Sequence, residues 1–368
     1  MSTSVVDEPF LPVNGVVTES QTSEEEFTSE QFKVLDAHAR LLVRDLHKPN
    51  PRVYWSDLLL TAFTGWAAFG LAVYLPLFSP GMVASTALAV FALYRGLCFM
   101  HELSHQTRRT LPGFEAAFNV LIGYPLLMPS FVYLGVHQDH HKVAFYGTSK
   151  DPEYMPFAQS SLMTTVFAVE SFFIPIVLLI RFLLLTPLGL ISPRVHRWLV
   201  VYLSSLTMNL RYRREATQQL LSRVRLHGAI VWFGWMGLIA LVVRGAVSWR
   251  VFLVWLLVDG MVSFINSLRT LGAHAYESTG HPMDRMGQLL DSIDHPGAFW
   301  TELWAPVGLR FHALHHYFPG VPYHSLPEAY RRLVGTLPIQ ATYQRMTSPS
   351  LPISLKRLFV KGLRAFKR

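Results

Sequence analysis

The chain has 368 residues, of which 51% are hydrophobic and only 15% charged, and its mean hydropathy is +0.29. Soluble domains carry about 25% charged residues, so a soluble protein is excluded, and the long apolar runs predict an all-α integral membrane protein. A single cysteine, Cys98, excludes an internal disulfide, a cysteine zinc site and an iron–sulfur cluster. The sixteen histidines, in contrast, exceed what packing requires.

Charge is unevenly distributed along the chain, whose net charge is +8. Residues 1–30 hold seven acidic residues and no Lys or Arg, and they lack the basic region and apolar core of a signal peptide. We expect a partly disordered acidic tail there, within an N-terminal segment over residues 1–52. The basic remainder favours contact with anionic lipid on the cytoplasmic face, and no nucleic-acid partner is indicated.

Four apolar segments reach the roughly 20 residues that a membrane-spanning helix needs. They cover about 57–79, 82–100, 226–247 and 251–271. Basic residues concentrate before the first and third segments and after the second, so the positive-inside rule predicts cytoplasmic termini. The lack of a recognisable retention signal and of a fused cytochrome domain favours a bacterial inner membrane.

Two further apolar stretches, residues 114–135 and 163–192, are interrupted by prolines, and the second also contains Glu170 and Arg181. If residues 163–192 crossed the membrane once, the arginines between them and the third span would lie on the non-cytoplasmic side, against the positive-inside rule. We therefore expect both stretches to be interfacial or re-entrant helices that do not cross. A short hairpin is the alternative for 163–192.

Three histidine clusters and one further histidine are predicted to meet on the cytoplasmic side. The clusters are His-Glu-Leu-Ser-His from residue 101, His-Gln-Asp-His-His from residue 137 and His-Ala-Leu-His-His from residue 312. Spacings of three and four residues place imidazoles on one helix face. Nine imidazoles overfill one metal ion and suit two, and imidazole favours Zn, Cu, Fe or Ni. The candidate metal-ligating and catalytic residues are His101, His105, His137, His140, His141, His274, His312, His315 and His316.

These clusters resemble the three histidine boxes of the membrane fatty-acid desaturase and hydroxylase superfamily. The resemblance covers roughly residues 55–335, includes paired spans before the first and third boxes, and extends to the run HHYFPGVPYHSLPEAYRRL at the third box. It implies two iron ions held by these histidines in a cytoplasmic cap and a reaction that uses O2. It also implies a separate electron donor, such as a ferredoxin or a cytochrome b5-like protein.

We predict a fatty acid desaturase of lipid metabolism that introduces a double bond into an acyl chain. Its membrane domain is expected over residues 53–345 and a basic amphipathic tail, suited to an anionic leaflet, over residues 346–368. The alternative is a hydroxylase or ketolase of the same superfamily acting on an alkane, a sphingoid lipid or a carotenoid. A histidine-rich metal transporter is less favoured, because transporters place ligands near the bilayer midplane.

Carboxylates near the boxes are candidates to orient the imidazoles. Glu102, Asp139 and Glu277 adjoin box histidines or His274, and Asp151 and Glu153 follow the second box.

Two polar residues within the last span raise separate expectations. Asp259 is expected to pair with a polar group of another span, since an ionisable residue in a span is a functional candidate. Asn266 precedes His274 by eight residues, about 12 Å along a helix. Acyl-CoA desaturases instead place an Asn four residues before this His, so a metal role is not carried over to Asn266. His324 is a candidate for supporting the third box.

Overall fold

A computed structural model describes residues 29–106, 109–336 and 343–366. Within these residues the protein is helical and has no β-strand, only isolated β-bridges, which confirms the predicted fold class. The predicted tail over residues 1–28, Arg108 and the last two residues lie outside the described part. The helices are α1 (Ser29–Val43), α2 (Pro51–Tyr74), α3 (Pro80–His105), α4 (Phe114–Phe118), α5 (Val136–His140), α6 (Ser161–Glu170), α7 (Ile174–Leu179), α8 (Thr186–Ile191), α9 (Pro193–Leu203), α10 (Gln218–Val243), α11 (Arg250–Ala273), α12 (Arg285–Asp291), α13 (Thr301–Trp304), α14 (His312–Tyr317), α15 (Leu326–Val334) and α16 (Leu351–Phe366).

Helices α2 and α3 form an antiparallel pair, and both begin with a capping side chain followed by a proline. The side chains of Asn50 and Ser79 each accept a backbone N–H of the first turn at 3.1 Å, and a proline follows in both cases. Such residues suit the first turn because its N–H groups lack helical partners. The two helices approach closely at Gly65, where a Cβ atom would lie 2.6 Å from Leu93.

Five helical stretches are long and apolar enough to span a membrane, which identifies a multi-pass membrane protein. Four of them, α2, α3, α10 and α11, match the predicted spans. The fifth, Ser161–Ile191, runs through α6, α7 and α8 and is also long and apolar enough to span, whereas we predicted a stretch that does not cross. Its prolines do not interrupt it, because Pro175 and Pro187 lie in the first turns of α7 and α8, where a missing N–H is tolerated.

The helical stretch Ser161–Ile191 follows a bent path between α11 and α10. Ser171 contacts Ser267 near the histidine-bearing end of α11, with 3.1 Å between the hydroxyl oxygens. Further along, the Trp232 indole of α10 donates to the Leu183 carbonyl at 3.2 Å. The stretch is therefore neither the hairpin we considered as an alternative nor a straight rod.

The chain beyond this stretch returns to the region where the stretch began. His196 on α9 donates to the Leu221 carbonyl at the start of α10, at 2.9 Å. The backbone N–H groups of Met208 and Asn209 both lie 3.2 Å from the Pro152 carbonyl oxygen, which precedes α6. Both flanks of the stretch therefore meet near the second histidine box, as a re-entrant segment requires, and its sidedness stays a prediction.

Residues 114–135 form α4, a π-helical turn at Asn119–Gly123 and an irregular return. Three carbonyls of this segment accept indole N–H groups: Leu121 from Trp66 at 2.6 Å, Tyr124 from Trp235 at 3.2 Å, and Pro125 from Trp255 at 2.9 Å. Irregular backbone inside a bilayer requires such partners because no water is available. The segment is too short to span, and its satisfied carbonyls fit the expected re-entrant position.

The C-terminal helix α16 packs against the protein through Leu351, Ser354 and Leu358, which are buried. Its basic residues face outwards, as does Phe359. Within the tail predicted over residues 346–368, the helix covers Leu351–Phe366. Leu358 turns inwards because α6 and α11 supply an apolar surface.

Candidate metal centre

The first histidine box forms the last turn of α3. His101 and His105 lie one turn apart, with ring centroids separated by 5.3 Å, and the helix ends at Gln106. His101 is buried, whereas His105 keeps partial exposure. Regular helix geometry therefore brings these two imidazoles together without help from the rest of the fold.

The second box lies on the short helix α5, which starts at Gly135 in a left-handed conformation with φ of +87°. The Gln138 side chain accepts the Gly135 N–H at 2.5 Å and donates its amide N–H to the Ser104 carbonyl of the first box. Glycine is the residue that adopts this φ at little cost. The turn and the Gln138 bridge together aim His137, His140 and His141 at the end of α3.

The third box lies on α14, whose first turn is capped by Asp294. Its Oδ1 accepts the N–H groups of Ala313 and Leu314 at 2.7 and 3.2 Å, and its Oδ2 accepts the Tyr343 hydroxyl at 2.7 Å. Burial raises the pKa of Asp294 to about 7, although these three hydrogen bonds act in the opposite direction. Asp294 thereby fixes the orientation of the whole box.

The nine predicted histidines all meet at one place in the fold. His101, His105, His137 and His315 form a first histidine group, and His140, His274, His312 and His316 form a second. In each group the candidate ligand atoms lie within 4.8 Å of one another.

His141 lies between the two groups. Its Nε2 atom is 3.0 Å from that of His137 and 3.2 Å from that of His315. Its ring also stacks on His316, with centroids 4.3 Å apart. His141 therefore completes the nine-residue set as a fifth imidazole of the first histidine group that also touches the second.

The donor atoms fit metal ions. Within the described residues, the buried Nε2 atoms of His101, His105 and His140 have no hydrogen-bond partner. Orphaned buried polar atoms are rare in proteins because their desolvation is costly. Burial is also the main reason that the pKa values of His137, His274 and His312 are well below their usual range. Neutral imidazoles with bare nitrogens converging on two points are the donor set that transition metals such as iron or zinc bind.

Carboxylates support three of these imidazoles at Nδ1, the ring nitrogen that faces away from the centre. Asp151 lies 2.9 and 3.1 Å from Nδ1 of His140, and Glu153 lies 2.9 Å from Nδ1 of His137. These contacts place the proton on Nδ1 and leave Nε2 free to face the centre. Burial opposes protonation of His140, but the Asp151 carboxylate outweighs it and raises the His140 pKa. Both carboxylates were predicted from their position after the second box.

The third supporting carboxylate, Asp291, was not predicted. The Tyr146 hydroxyl lies 2.9 Å from Nδ1 of His274 and 2.9 Å from the Asp291 carboxylate. The phenol therefore links the imidazole to the carboxylate through two hydrogen bonds. Tyr133 makes a similar contact of 2.9 Å with Nδ1 of His137. No spacing rule connects these residues to the histidines, because tertiary packing alone brings them together.

Three other carboxylates have partners different from those expected. Glu102 accepts the Tyr54 hydroxyl and lies 3.9 Å from His101 Nδ1, beyond hydrogen-bond distance. Asp139 pairs with Lys142 at 2.6 Å and accepts the Tyr212 hydroxyl at 2.7 Å, and Glu277 pairs with Lys361. The expectation that these three orient imidazoles is therefore wrong. Glu102 and Asp139 directly adjoin box histidines, and neighbouring residues of a helix point in different directions.

The remaining candidates lie apart from the histidines. Asp259 is fully buried but has no hydrogen-bond partner among the described residues, so its expected pairing with another span is wrong. Glu170 is exposed. Asn266 accepts from Arg269 at 3.3 Å, and His324 accepts the Asn50 N–H at 3.0 Å.

A helical membrane bundle that ends beneath two convergent histidine groups defines a membrane oxidoreductase of the desaturase and hydroxylase superfamily. The fatty acid desaturase family pattern matches residues 78–348. The chain is also 37% identical, over 327 residues, to a ceramide hydroxylase of Caulobacter vibrioides, covering 88% of this chain and 93% of that protein. The chain belongs to the fatty acid desaturase family, in agreement with the resemblance of its boxes.

Proposed function

We propose that this protein is an O2-dependent lipid hydroxylase acting on a ceramide-class substrate. The observation that carries the proposal is the extended similarity to a ceramide hydroxylase, which covers nearly the full length of both chains. It supports the hydroxylase alternative on a sphingoid lipid over our first prediction of a desaturase.

The nine histidines are proposed to hold two iron ions. Bound iron would supply the redox chemistry with O2 that breaks an unactivated C–H bond, which side-chain acid–base groups cannot break. His101, His105, His137, His141 and His315 would hold one ion, and His140, His274, His312 and His316 the other.

The surrounding side chains would orient these ligands and exclude bulk water. Asp151, Glu153 and the pair Tyr146–Asp291 fix the Nδ1–H tautomers, so each Nε2 lone pair faces the centre before metal binds. The second histidine group is buried on all four members. A dry, preorganised donor set strengthens every electrostatic interaction within it.

Electrons are proposed to come from a separate ferredoxin or cytochrome b5-like protein that docks on the basic cytoplasmic face, where opposite charge would accelerate its encounter. We also propose that the histidine centre and both termini face the cytoplasm of a bacterial inner membrane. The concentration of Lys and Arg before α2 and α10 supports this orientation.

Total-lipid mass spectrometry of a host expressing the chain tests the proposed reaction, with the His140→Ala variant beside it. We expect a ceramide species that gains one oxygen with the native chain and is missing with the variant. His38→Ala is the matched control, because His38 is exposed on α1 and belongs to neither histidine group. It should leave the product unchanged.

Desaturation remains the second candidate, because the matching family pattern is that of fatty acid desaturases. A loss of two hydrogens instead of a gain of oxygen would establish it and reject the hydroxylase proposal. Full product formation by His140→Ala would reject the histidine centre itself.

A further inference from the structure

A cavity opens between the consecutive membrane helices α10 and α11. Residues 244–249 alone join the two helices, yet α10 packs mainly against α8 and α9. Trp235 of α10 reaches α11 through its ring contacts with Trp255 and Phe252, whose centroids lie 4.8 and 6.4 Å away. The space left beside these rings has a volume of about 320 Å³, which is within the range of ligand pockets.

The lining of this cavity is apolar, because its polar side chains already have partners in the protein. The indole N–H groups of Trp66, Trp235 and Trp255 donate to carbonyls of residues 114–135, and the Tyr124 hydroxyl lies 2.8 Å from Nδ1 of His227. A bound water molecule needs two to four polar partners, and a lipid headgroup needs polar partners as well. An alkyl chain is therefore the ligand that this surface fits.

The cavity continues along α10 as a shallow groove that ends at Arg244. The cavity and the groove share Gly234 and Leu238. A Cβ atom added at Gly234 or Gly237 would meet no packing partner within 4 Å, so the helix surface is open there. From Arg244 to Ile230 the groove and cavity extend about 21 Å along α10. That length matches one leaflet, which is half of the roughly 30 Å hydrocarbon core plus an interfacial layer of about 5–8 Å.

Two arginines at this end of the bundle have no counter-ion in the protein. Arg244 follows the last turn of α10, with an exposed side chain, and Arg250 begins α11 and donates to the Leu75 carbonyl at the end of α2. Residues 58–101 and 216–258, which meet here, contain no Asp or Glu. Within the described part of the chain, neither arginine forms an ion pair. Arginine binds phosphate through parallel charged hydrogen bonds, so a lipid phosphate is the counter-ion that this position favours.

The groove is remote from the histidine centre and too narrow for another helix. Helix α11 has 24 residues, about 36 Å along its axis, and it separates Arg250 from His274. A lipid in the groove is therefore not at the place of oxidation. A helix of a second copy of the chain is 10–12 Å across with its side chains, too wide to fill a cavity of about 320 Å³ between two helices.

We propose that one anionic phospholipid binds here, with its phosphate at Arg244 and Arg250 and one alkyl chain in the cavity between α10 and α11. The neighbouring Trp249 is 61% exposed, as suits an aromatic residue at the membrane interface. The lipid fills space that the protein leaves open and thereby joins α10 to α11. This inference does not depend on the proposed function.

Native mass spectrometry of the full chain in detergent, titrated with phosphatidylglycerol, tests this site. The wild type should retain one phosphatidylglycerol molecule. Gly234→Leu places a side chain in the cavity and should abolish retention. Arg244→Gln should weaken it about tenfold, as expected for a lost hydrogen bond to a charged group. Phosphatidylglycerol should also raise the melting temperature of the wild type by a few degrees, because it binds the folded state, and should not do so for Gly234→Leu.

Each variant has a matched control. Gly70→Leu controls for Gly234→Leu, because Gly70 on α2 also has open space around its Cβ atom but does not line the cavity. Arg52→Gln controls for Arg244→Gln, because Arg52 is an exposed arginine in the first turn of α2. Both controls should retain the lipid as the wild type does. Inorganic phosphate should not displace the lipid, since it lacks the chain.

Retention that is unchanged in Gly234→Leu or in Arg244→Gln overturns the site, as does an equal loss in Arg52→Gln. Displacement by inorganic phosphate would also overturn it, because the chain would then contribute nothing. A dimeric wild type that Gly234→Leu makes monomeric would show that a second copy covers the groove instead. Since Arg244 is exposed, Arg244→Gln is expected to fold and tests the site independently of the cavity variant.

Discussion

The two histidine groups share ligands from α5 and α14 and differ in the source of their remaining ligands. In the first group, His101 and His105 come from the last turn of a long membrane helix, and regular helix spacing sets their separation. In the second group, three of four histidines lie on short helices outside the membrane helices, and His274 follows the end of α11. A membrane helix places ligands without further support, whereas short segments need hydrogen bonds behind each ligand. The second group should therefore be more sensitive to loss of its supporting residues.

The largest effect should come from removing one ligand of either group. His105→Ala and His312→Ala should each lose about half of the bound iron and all detectable lipid product, because each group is expected to hold its own ion. Elemental analysis of the purified protein measures this, with His38→Ala as the control. If His105→Ala emptied both groups, they would form one cooperative site and the comparison would fail.

Removing a carboxylate behind the second group should produce the next largest effect. Asp151→Asn keeps the shape but weakens the hold on His140, and supporting changes of this kind cost about 10–100-fold in metal affinity or activity. Chelator titration of the purified protein measures the affinity. Asp139→Asn is the control, since Asp139 adjoins His140 in sequence but contacts Lys142 and Tyr212. Equal losses in the two variants would contradict a specific role for Asp151.

Tyr133 and Tyr146 test how strongly each histidine group depends on its supporting hydrogen bonds. Tyr133→Phe leaves His137 in direct contact with Glu153 at 2.9 Å, whereas Tyr146→Phe leaves His274 with Asp291 at 3.7 Å. We expect a several-fold loss of iron affinity in Tyr146→Phe and little change in Tyr133→Phe, as judged by the same titration. The reverse order would show that the first group depends more on its support.

The smallest effect concerns pH and Asp294, which caps the helix that carries ligands of both groups. Burial raises its pKa to about 7 from an ordinary value of 3.8, so the folded protein binds this proton more tightly than the unfolded chain. The free energy of unfolding should therefore fall as pH rises from about 4 to 7. Melting temperatures of the metal-free protein should decrease from pH 5.5 to 8 by a few degrees. Asp294→Asn should flatten that dependence, and Asp284→Asn, an exposed cap of α12, should not.

The parts of the centre that follow local rules could be predicted from the sequence. Spacings of three and four residues marked eight of the nine histidines, and His274 was marked by its place just beyond the last span. The apolar runs marked α2, α3, α10 and α11. The supporting groups were harder, since Tyr146 and His274 are 128 residues apart and meet only through tertiary packing. Glu102 shows that closeness in sequence can mislead: it adjoins His101, but its side chain points towards Tyr54. The bent path of Ser161–Ile191 also depends on contacts with α10 and α11 that hydropathy does not encode.

The order of the ligands along the chain has a consequence for biosynthesis. His101 leaves the ribosome about 200 residues before His316, which corresponds to roughly 10–40 seconds at 5–20 residues per second. Helix α16 follows still later, and it packs on α11 beside His274, where Leu351 contacts Gly272 and Ser354 lies 2.9 Å from His295. The two groups cannot both be complete until His316 has been translated. On the proposed function, metal loading would therefore be a maturation step that follows insertion of α2 and α3 into the membrane.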